Sequence, residues 1–533
     1  MEVGAAQFEA QLPALQELIL RCDFVALDME FTGLHSVFLP GRRLSLFDSP
    51  AEWYQKARQS VQQFTVSQLG LSIFCKENSD KYVAHSYNFF LFPSTFGKMD
   101  SEFSFQASSI QFLSHYGFDY NKFLKDGIPY INEAQEKKLC HLLSGSWMIS
   151  SGFSKEKLKK VIDEVTHWVA LAEEKESMVL HDIYGFQMFE IQLILRQAIE
   201  NIWTAPLGNH ELMVKKMNRQ QRWLLENTSY DACQKEQILL SARGFTNLFQ
   251  ALVKAKKPLV GHNMMMDLLH LHERFYRPLP EDYEEFKKNI HTLFPVLIDT
   301  KNITKVALKE FQFPQASNLL EVYEVLCSSA ANPTNQSCPE ILHSRDCLRY
   351  ATDSCPHEAA YDAFLCGSVL LKIAHLLLCR ISCDETRTIP SFSLYLDVLA
   401  AYVNQVNLIR AGVQRINFSG MDDYTKHLPL LIADVRGWPM VNEEQIYQEL
   451  RVLCRFDVRK LRRNQFLLLS NRLKDVRMIL REYKTHPSLK ISVYHHWKHS
   501  PQVKCLLQMK SLAEEGGKGP KTDGRRCNDA FAD

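Results

Sequence analysis

The pattern of apolar and polar positions in the first part of the chain predicts strands followed by helices. The stretches FTVSQLGLSIFC (64–75) and YVAHSYNFFLFP (82–93) are rich in β-branched and aromatic residues. A short polar connection joins them, which predicts a β-hairpin. Residues 1–20 instead repeat apolar side chains at helical spacing, which predicts an amphipathic helix packed on the same domain.

The middle of the chain continues this alternation. Residues 246–272 contain a helical stretch, the short strand KPLVGHN and the start of a second helix, MMMDLLHLHERF. The apolar run FPVLIDT (294–300) predicts a further strand, and residues 357–379 predict a long helix. We therefore expect an α/β domain with a mixed sheet, in two parts at 1–144 and 244–395.

Residues 145–243 have a different character and separate these two parts. Segments such as KLKKVIDEVTHWVALAEEKE and FEIQLILRQAIENIW are amphipathic with helical periodicity. They predict a mainly helical insert within the α/β domain.

Residues 400–500 show a third pattern, strand, helix, two strands, helix and strand. The segments are LLIADV (430–435), EEQIYQELRVLC (443–454), FDVRKLRRNQFLLLS (456–470), RLKDVRMILREY (472–483) and LKISVYHHW (489–497). This is the order of an RRM, whose central strands carry aromatic residues that stack on bases. Only Phe466 is available for that role here, so we expect an RRM-like α+β domain, degenerate in base stacking.

The basic residues of this region leave two interpretations open. They either contact RNA phosphates or form an ordinary solvated face; they are Arg455, Arg459, Lys460, Arg462 and Arg463. The tail, residues 501–533, is rich in glycine and charge, and we expect it to be disordered.

The composition of the chain indicates its cellular compartment but does not indicate which reaction it catalyses. The 533 residues favour more than one domain, and 62 Lys and Arg nearly balance 61 Asp and Glu. The 14 cysteines form no Cys-x-x-Cys, which favours a reducing compartment, and we expect a cytoplasmic protein. No run of 18 apolar residues occurs, so the sequence predicts no membrane-spanning helix.

Candidate chemistry begins in ALDMEFTGL (26–34). Asp28 and Glu30 are two positions apart in a predicted strand, so their side chains share one face. Two like charges in a partly buried place repel each other and need compensation, which a divalent cation supplies.

Two later segments add acids and a histidine. GHNMMMD (261–267) places Asp267 in the first turn of a helix, and HEAAYD (357–362) supplies His357 and Asp362. Five residues on a helix turn through about 500°, so the last two side chains converge only if His357 precedes the helix. Pro356 favours such a break.

In this order the segments resemble the DEDDh exonuclease superfamily and, more closely, its poly(A)-specific ribonuclease (PARN) branch. The similarity is carried by DFVALDMEFTGL, KPLVGHNMMMDLLH, FPVLIDTK and HEAAYDAFLCG. It implies a ribonuclease H-like DEDD exonuclease domain in which two Mg²⁺ ions are bound by Asp28, Glu30, Asp267 and Asp362. It further implies that His357 is the general base and that the terminal nucleotide contacts Phe31, Thr32 and Gly33.

The resemblance also implies an activity, a 3′→5′ exoribonuclease that releases 5′ nucleotides from single-stranded RNA with a free 3′ hydroxyl. We expect it to trim piRNA precursors in the germline, during spermatogenesis. The alternatives are a deadenylase of mRNA poly(A) tails and a catalytically silent RNA-binding scaffold.

Further expectations about partners and location rest on the same resemblance. They include a Tudor-domain scaffold, Piwi-bound RNA and a homodimer. Related proteins are tail-anchored to the endoplasmic reticulum or the outer mitochondrial membrane, whereas CLLQMKSLAEEGGKGP here turns polar. The insert also lacks the Arg-x-x-x-His pair of the PARN inserted RNA-binding domain, so RNA binding by the insert is not expected.

Overall fold

The computed structural model divides the chain into two compact units. The first comprises Met1–Leu44, Pro50–Ile409 and Val413–Asp423, and the second comprises Ser45–Ser49, Arg410–Gly412 and Tyr424–Asp533. The structure describes residues 1–34, 43–78, 81–94, 101–143, 155–183, 186–207, 211–227, 229–328, 339–381, 390–423, 429–438 and 440–515.

The first unit begins with the elements that form one half of its sheet. They are β1 (Glu2–Val3), α1 (Ala5–Arg21), β2 (Phe24–Phe31), α2 (Pro50–Gln63), β3 (Val66–Asn78), β4 (Lys81–Phe90), α3 (Ala107–His115), α4 (Tyr120–Asp126) and α5 (Glu133–Leu143). The predicted N-terminal helix and the predicted hairpin, β3–β4, are both confirmed.

The region predicted as a mainly helical insert also contains strands. Its elements are α6 (Lys155–Leu171), β5 (Ser177–Leu180), α7 (Phe186–Ala198), β6 (Ile202–Pro206), β7 (Leu212–Lys216), α8 (Arg219–Glu226) and α9 (Ser229–Arg243). The strands form an antiparallel sheet in the order β5-β7-β6. The sequence missed this sheet because its strands are only four or five residues long, too short to show a clear alternation. Residues 145–154 lie outside the described residues.

The rest of the first unit completes the sheet and covers it. Its elements are α10 (Phe245–Ala255), β8 (Leu259–Gly261), α11 (Met265–Leu271), α12 (Tyr283–Leu293), β9 (Leu297–Asp299), α13 (Thr300–Glu310), α14 (Leu319–Cys327), β10 (Glu340–His343), α15 (Arg349–Thr352), α16 (Ala359–Ile381), α17 (Phe392–Val398), β11 (Gln405–Asn407) and β12 (Arg415–Asn417).

A mixed seven-stranded sheet is the centre of the first unit, as the α/β prediction expected. Its order is β1-β4-β3-β2-β8-β9, with β10 also paired to β4. β2 runs antiparallel to β3 and parallel to β8. The C-terminal ends of β2, β8 and β9 therefore meet at one edge of the sheet, which is where polar side chains from separate segments come together.

Helix α16 packs across β2 and β3 and forms much of the core. Its apolar residues join Phe24 and Phe74, whose rings stack with centroids 4.7 Å apart. By length and composition this helix alone, within the described residues, is apolar enough to cross a membrane, and 56% of that apolar window is buried in the protein. Burial against the sheet accounts for its apolar character.

Gly70 permits the close approach of this helix to β3. It lies opposite Asp28 in the β2–β3 register. A Cβ atom at this position would lie 2.0 Å from the carbonyl carbon of Ala359 and 2.2 Å from the nitrogen of Ala360. Only glycine leaves room for the first turn of α16 at this depth.

The second unit contains a four-stranded sheet, and two of its helices share an apolar core with one face of that sheet. Its elements are β13 (Leu431–Val435), α18 (Glu443–Leu450), β14 (Asp457–Arg462), β15 (Gln465–Leu469), α19 (Leu473–Glu482), β16 (Leu489–Val493), α20 (His496–His499) and α21 (Pro501–Glu515). The sheet order is β14-β15-β13-β16. The succession of strands and helices from β13 to β16 is the one expected from the sequence.

Two predicted boundaries need correction. The β11–β12 hairpin belongs to the first unit, not to the domain predicted at 400–500, because Asn407 N donates to Asp299 and Leu297 N donates to Asn404. The tail predicted as disordered begins with helix α21, whose sequence PQVKCLLQMKSLAEE is rich in helix-forming residues after an initial proline. Residues 516–533 lie outside the described residues.

We expect Gly70→Ala to lower the free energy of unfolding by at least about 3 kcal/mol, because the added methyl group meets backbone atoms that cannot move independently. Urea unfolding followed by circular dichroism measures this loss. Gly420→Ala is the matched control, since its Cβ would meet only the end of the Asn417 side chain, at 3.2 Å. Equal losses in both variants would contradict the proposed role of Gly70.

Candidate active site

Strand β2 presents Asp28 and Glu30 on one face. Their neighbours Leu27 and Met29 point the other way and are almost fully buried, at 1% and 4% exposure. Asp28 pairs with Gly70 and Glu30 with Gln68 on β3. Both carboxylates are half-buried and lie on the same side of the sheet, as the alternation in ALDMEF predicts.

Asp267 lies in the first turn of α11, just after the turn that follows β8. Asn263 in this turn has a left-handed backbone, with φ of 62°. The turn is fixed by Asp299 at the end of β9, which accepts from Asn263 N at 2.8 Å and from Met264 N at 3.3 Å. Asp267 is 6% exposed, and its Oδ1 has no hydrogen-bond partner.

Asp299 is thus a positioning residue, because it fixes the turn that leads to Asp267. The sequence analysis did not include it among the site residues. Besides the two turn amides, it accepts from Lys301 N and Asn407 N, both at 2.9 Å. Burial raises the pKa of its carboxyl, and these backbone N–H groups oppose that rise. The signal available in the sequence was an acid ending the buried run FPVLID.

His357 lies in the turn before α16, as the spacing of HEAAYD required. Its φ is +64°, and the helix begins at Ala359. His357 N donates to Asp362 Oδ2 at 3.0 Å, and its Nδ1 is 4.0 Å from the same oxygen. The left-handed turn therefore folds the histidine back over the first turn of the helix, and the two side chains converge.

The predicted acids and histidine meet in one place. One ligand atom from each of Glu30, His357 and Asp362 lies within 4.8 Å of the other two. Asp28 and Asp267 are close enough that the charges of Asp362, Asp267 and Glu30 raise the pKa of Asp28, after the larger effect of burial. The structure brings together all five residues; their catalytic roles stay a prediction.

The electrostatics of this cluster call for a cation. Burial, and then the charges of Asp362 and Asp267, raise the pKa of Glu30. Burial raises the pKa of Asp267 and of Asp362 to about 7. Among the described residues, no Lys or Arg forms an ion pair with any of the four acids. Their carboxylate oxygens, with Asp267 Oδ1 unpartnered, are the hard ligands that Mg²⁺ and Mn²⁺ prefer, so the residues present fit divalent cations.

The imidazole of His357 packs between two aromatic rings of the α3 region. Its centroid is 4.6 Å from that of Phe112 and 4.3 Å from that of Tyr116. Burial lowers the pKa of His357, which keeps the imidazole neutral near pH 7 and able to accept a proton.

Side chains from the sheet hold the start of α16. Gln68 Oε1 accepts from Ala359 N at 3.0 Å, and Asn88 Oδ1 accepts from Ala360 N at 2.7 Å. They satisfy amides that a helix N-terminus leaves without an internal partner. The sequence pattern does not indicate this role, because polar residues within strands are usually assigned to the solvent side.

Glu358 fixes the residue next to His357. Its carboxylate accepts from the side chains of Asn88, Tyr350 and Arg349. These contacts join the His357 turn to β4 and to α15, so the left-handed conformation of His357 is held from both sides.

The three residues expected to contact a nucleotide differ in surroundings. Phe31 is 8% exposed and stacks on His270, with centroids 4.5 Å apart. Thr32 is 1% exposed; its hydroxyl donates to Ser104 O and accepts from Thr65 N. A Cβ at Gly33 would lie 2.5 Å from the Phe64 ring. Thr32 and Gly33 therefore both contribute to packing in this structure, and the contact of the three residues with a nucleotide stays a prediction.

The sequence pattern of the CAF1 family ribonucleases matches residues 3–370, which include all five residues of the cluster. The chain belongs to the CAF1 family of ribonucleases. The poly(A)-specific ribonuclease PNLDC1 of Mus musculus is 62% identical to this ribonuclease over 517 residues, which are 96% of this chain and 97% of the relative.

More distant relatives are also named as RNA-degrading enzymes. The pre-piRNA 3′-exonuclease trimmer of Bombyx mori is 28% identical over 531 residues, 97% of each chain. The poly(A)-specific ribonuclease PARN of Homo sapiens is 29% identical over 409 residues, which cover 71% of this chain and 62% of PARN. These relatives confirm the prediction that this ribonuclease is a 3′→5′ exoribonuclease related to PARN.

Among solved structures, S. pombe Pop2p in its Mg²⁺ and Mn²⁺ bound form is similar to this ribonuclease. It shares 16% identity at a TM-score of 0.36, over 72% of this chain and 95% of that chain.

Without metal, we expect the stability of this ribonuclease to fall as pH rises from about 4 to about 7. The pKa of Asp267 and of Asp362 is about 7 in the folded protein, above the ordinary value near 3.9 of an unfolded chain. In that interval the folded state keeps protons that the unfolded state has lost, so deprotonation destabilises it. Urea unfolding in EDTA at pH 5 and pH 8 measures the effect.

The double variant Asp267→Asn/Asp362→Asn is the control, since it removes both titrating groups while keeping their shape. It should lose less stability between the two pH values than the parent. Saturating Mg²⁺ at pH 8 should raise the melting temperature of the parent and not that of the variant. The same pH dependence in both proteins would contradict this account of the cluster.

We expect Glu358→Gln to lower the kcat of ribonuclease activity about 10-fold with little change in KM, because the turn that holds His357 loses its charged anchor while substrate contacts stay intact. Glu310→Gln, which breaks the exposed pair with Arg380, is the control and should keep parental kcat. Steady-state cleavage of a fluorescent RNA gives both constants. A rise in KM alone would place Glu358 in substrate binding instead.

Proposed function

We propose that this exoribonuclease shortens the 3′ ends of piRNA precursors by metal-dependent hydrolysis. The observation that carries the chemistry is the cluster of Asp28, Glu30, Asp267 and Asp362 around His357, with which no Lys or Arg in the described part of the chain forms an ion pair. The extent of the similarity supports the substrate. The chain covers 97% of the Bombyx mori trimmer but only 62% of human PARN.

The four carboxylates would hold two Mg²⁺ ions. When bound, two such ions stabilise the negative charge that develops on the attacking and leaving oxygens of the phosphodiester. Asp28 and Glu30 come from a rigid strand, and Asp362 comes from a helix packed on it, so the ligand oxygens are positioned before substrate arrives.

His357 would act as the general base. Its neutral imidazole accepts a proton from the attacking water and passes it to solvent, to which the side chain is 38% exposed. The backbone hydrogen bond to Asp362 fixes the turn, while Phe112 and Tyr116 hold the plane of the ring. Attack of water on the terminal phosphodiester breaks its bond to the preceding 3′ oxygen and releases a 5′ nucleotide.

Partners and location are also proposals. RNA is the substrate of this ribonuclease; delivery by a Tudor-domain scaffold, a Piwi-bound form of that RNA and a homodimer rest on the resemblance to trimmers. The same holds for a cytoplasmic location and for attachment to a membrane. We also propose that the second unit is RRM-like, supported by its βαββαβ order.

A ribonuclease assay with two labelling schemes tests the proposal. With Mg²⁺, a 5′-labelled single-stranded RNA should shorten stepwise, and a 3′-labelled one should release a labelled mononucleotide at once. EDTA, Asp28→Asn and His357→Ala should each lower the rate at least about 100-fold. His167→Ala, an exposed histidine of α6, should leave the rate unchanged.

The choice of RNA separates the candidate substrates. A mixed-sequence RNA with a free 3′ end should be shortened at least as fast as poly(A), whereas a 3′-terminal 2′-O-methyl group should block attack. A strong preference for poly(A) would favour the deadenylase, a function consistent with the name of the 62% identical relative. Equal rates for the parent, Asp28→Asn and His357→Ala would overturn the assignment of the site.

A further inference from the structure

Residues 430–510 of the second unit have an excess of positive charge that the rest of the chain nearly cancels. Residues 430–510 contain 16 Lys and Arg but only 7 Asp and Glu, whereas the whole chain has 62 and 61. Two of those acids, Asp457 and Asp475, are buried at 8% exposure. Because a local excess of this kind attracts polyanions, the question is where on the unit it is concentrated.

The open face of the sheet is not a base-stacking platform. Leu431, Ala433 and Val435 belong to the core under the helices, so the alternate residues of β13 point to the other face. Phe466, the aromatic residue that the sequence offered for stacking, is fully buried in that same core. The residues of the described strands on this other face are aliphatic, polar or charged: Ile432, Asp434, Asp457, Arg459, Arg462, Gln465, Leu467, Leu469, Lys490 and Ser492.

Part of this open face is covered by the Ser45–Ser49 segment of the same unit. Leu46 N donates to Asp457 Oδ2 at 2.6 Å, and the Arg459 guanidinium lies 5.0 Å from the centroid of the Phe47 ring. Arg459 is therefore engaged within the protein. Arg459 is one of the basic residues predicted to contact phosphates, and its contact with Phe47 makes it less available for RNA. Arg462 and Arg463 lie beyond the covered part, at the β14–β15 turn.

Backbone hydrogen bonds collect basic residues from three separate segments at that end of the sheet. Val435 N donates to Asn464 O at 2.9 Å, so Arg436 lies beside the turn containing Arg462 and Arg463. Arg436 N in turn donates to Ser488 O at 2.8 Å. The bond from Ile491 N to Tyr483 O brings the segment of Lys484 beside Lys490.

We call this set the basic rim, and it consists of Arg436, Arg462, Arg463, Lys484 and Lys490. All five are exposed, and within the described residues none of them forms an ion pair. Two acids lie close to these residues: Asp434, the cross-strand partner of Lys490, accepts from Gln465 at 2.7 Å, and Glu482 lies two residues before Lys484. Arg462 and Lys490 lie on the two outer strands, about 14 Å apart at a strand spacing of about 4.8 Å.

We propose that the basic rim binds the phosphate backbone of single-stranded RNA, without sequence preference. This inference rests on the proposed function, in that the ligand is the RNA substrate. RNA is favoured over other anions because this chain is a ribonuclease whose active-site cluster is itself acidic. A polyanionic substrate therefore gains its electrostatic attraction elsewhere on the protein.

Fluorescence anisotropy with a 5′-labelled, mixed-sequence single-stranded RNA tests the rim. The full-length protein is used in EDTA, and the RNA is checked to be intact afterwards. The triple variant Arg436→Gln/Arg463→Gln/Lys490→Gln should weaken binding about 10-fold at low salt. It should also reduce the slope of log Kd against log salt by about 2, since each phosphate contact on a single strand contributes about 0.7.

A second triple variant controls for charge alone. Arg472→Gln/Lys474→Gln/Arg477→Gln removes the same charge from exposed positions at the start of α19, the opposite end of that helix from Lys484. It should bind RNA within about twofold of the parent. Equal weakening by the two triple variants would overturn the rim as a defined site and leave only a diffuse effect of charge.

Other outcomes separate this inference from the proposed function. If the parent shortens RNA but the rim variant binds it as tightly as the parent does, the rim is not an RNA site while the nuclease assignment stands. If the parent fails to cleave RNA yet binds it through the rim, the proposed function fails and the rim does not. Rim-dependent binding to vesicles of 80% phosphatidylcholine and 20% phosphatidylserine, with RNA binding unchanged, would assign the surface to a membrane instead.

Discussion

Mutual repulsion among four carboxylates is the constraint around which the first unit is built. Asp28, Glu30, Asp267 and Asp362 come from a strand and two helices that are far apart in sequence. Burial and like charge disfavour their ionised forms, and no basic side chain of the described residues compensates them. Such an arrangement costs stability in the metal-free protein, so the surrounding structure has to hold it.

The residues that hold the four carboxylates in place are distributed over the sheet. Gly70 lets α16 approach β3, Asn88 and Gln68 satisfy the first amides of that helix, and Glu358 anchors the turn of His357. On the other side, Asp299 organises the turn before Asp267 through backbone amides. A rigid frame of this kind is what metal-assisted phosphodiester chemistry requires, because the ligand oxygens must be in place before the ions bind.

The amino-acid sequence was sufficient for the elements with strong periodicity and for the convergence of the five predicted site residues, whose catalytic roles stay a prediction. The period of two in ALDMEF, the apolar run before GHN and the five-residue spacing of His357 and Asp362 each determine local geometry, and the structure agrees with all three. The supporting residues were out of reach, because Gln68, Asn88 and Glu358 act through contacts with residues up to about 290 positions away. The small sheet at β5-β7-β6 was missed for a different reason, since its strands are too short to show a period.

The path of the chain through the two units has its own consequence. Ser45–Ser49 and Arg410–Gly412 belong to the second unit, although most of that unit follows residue 423. Leu46 and Arg410 both bind Asp457. The second unit is therefore built from segments that are separated in sequence, and a chain ended at residue 423 would leave Leu46 and Arg410 without their partner Asp457.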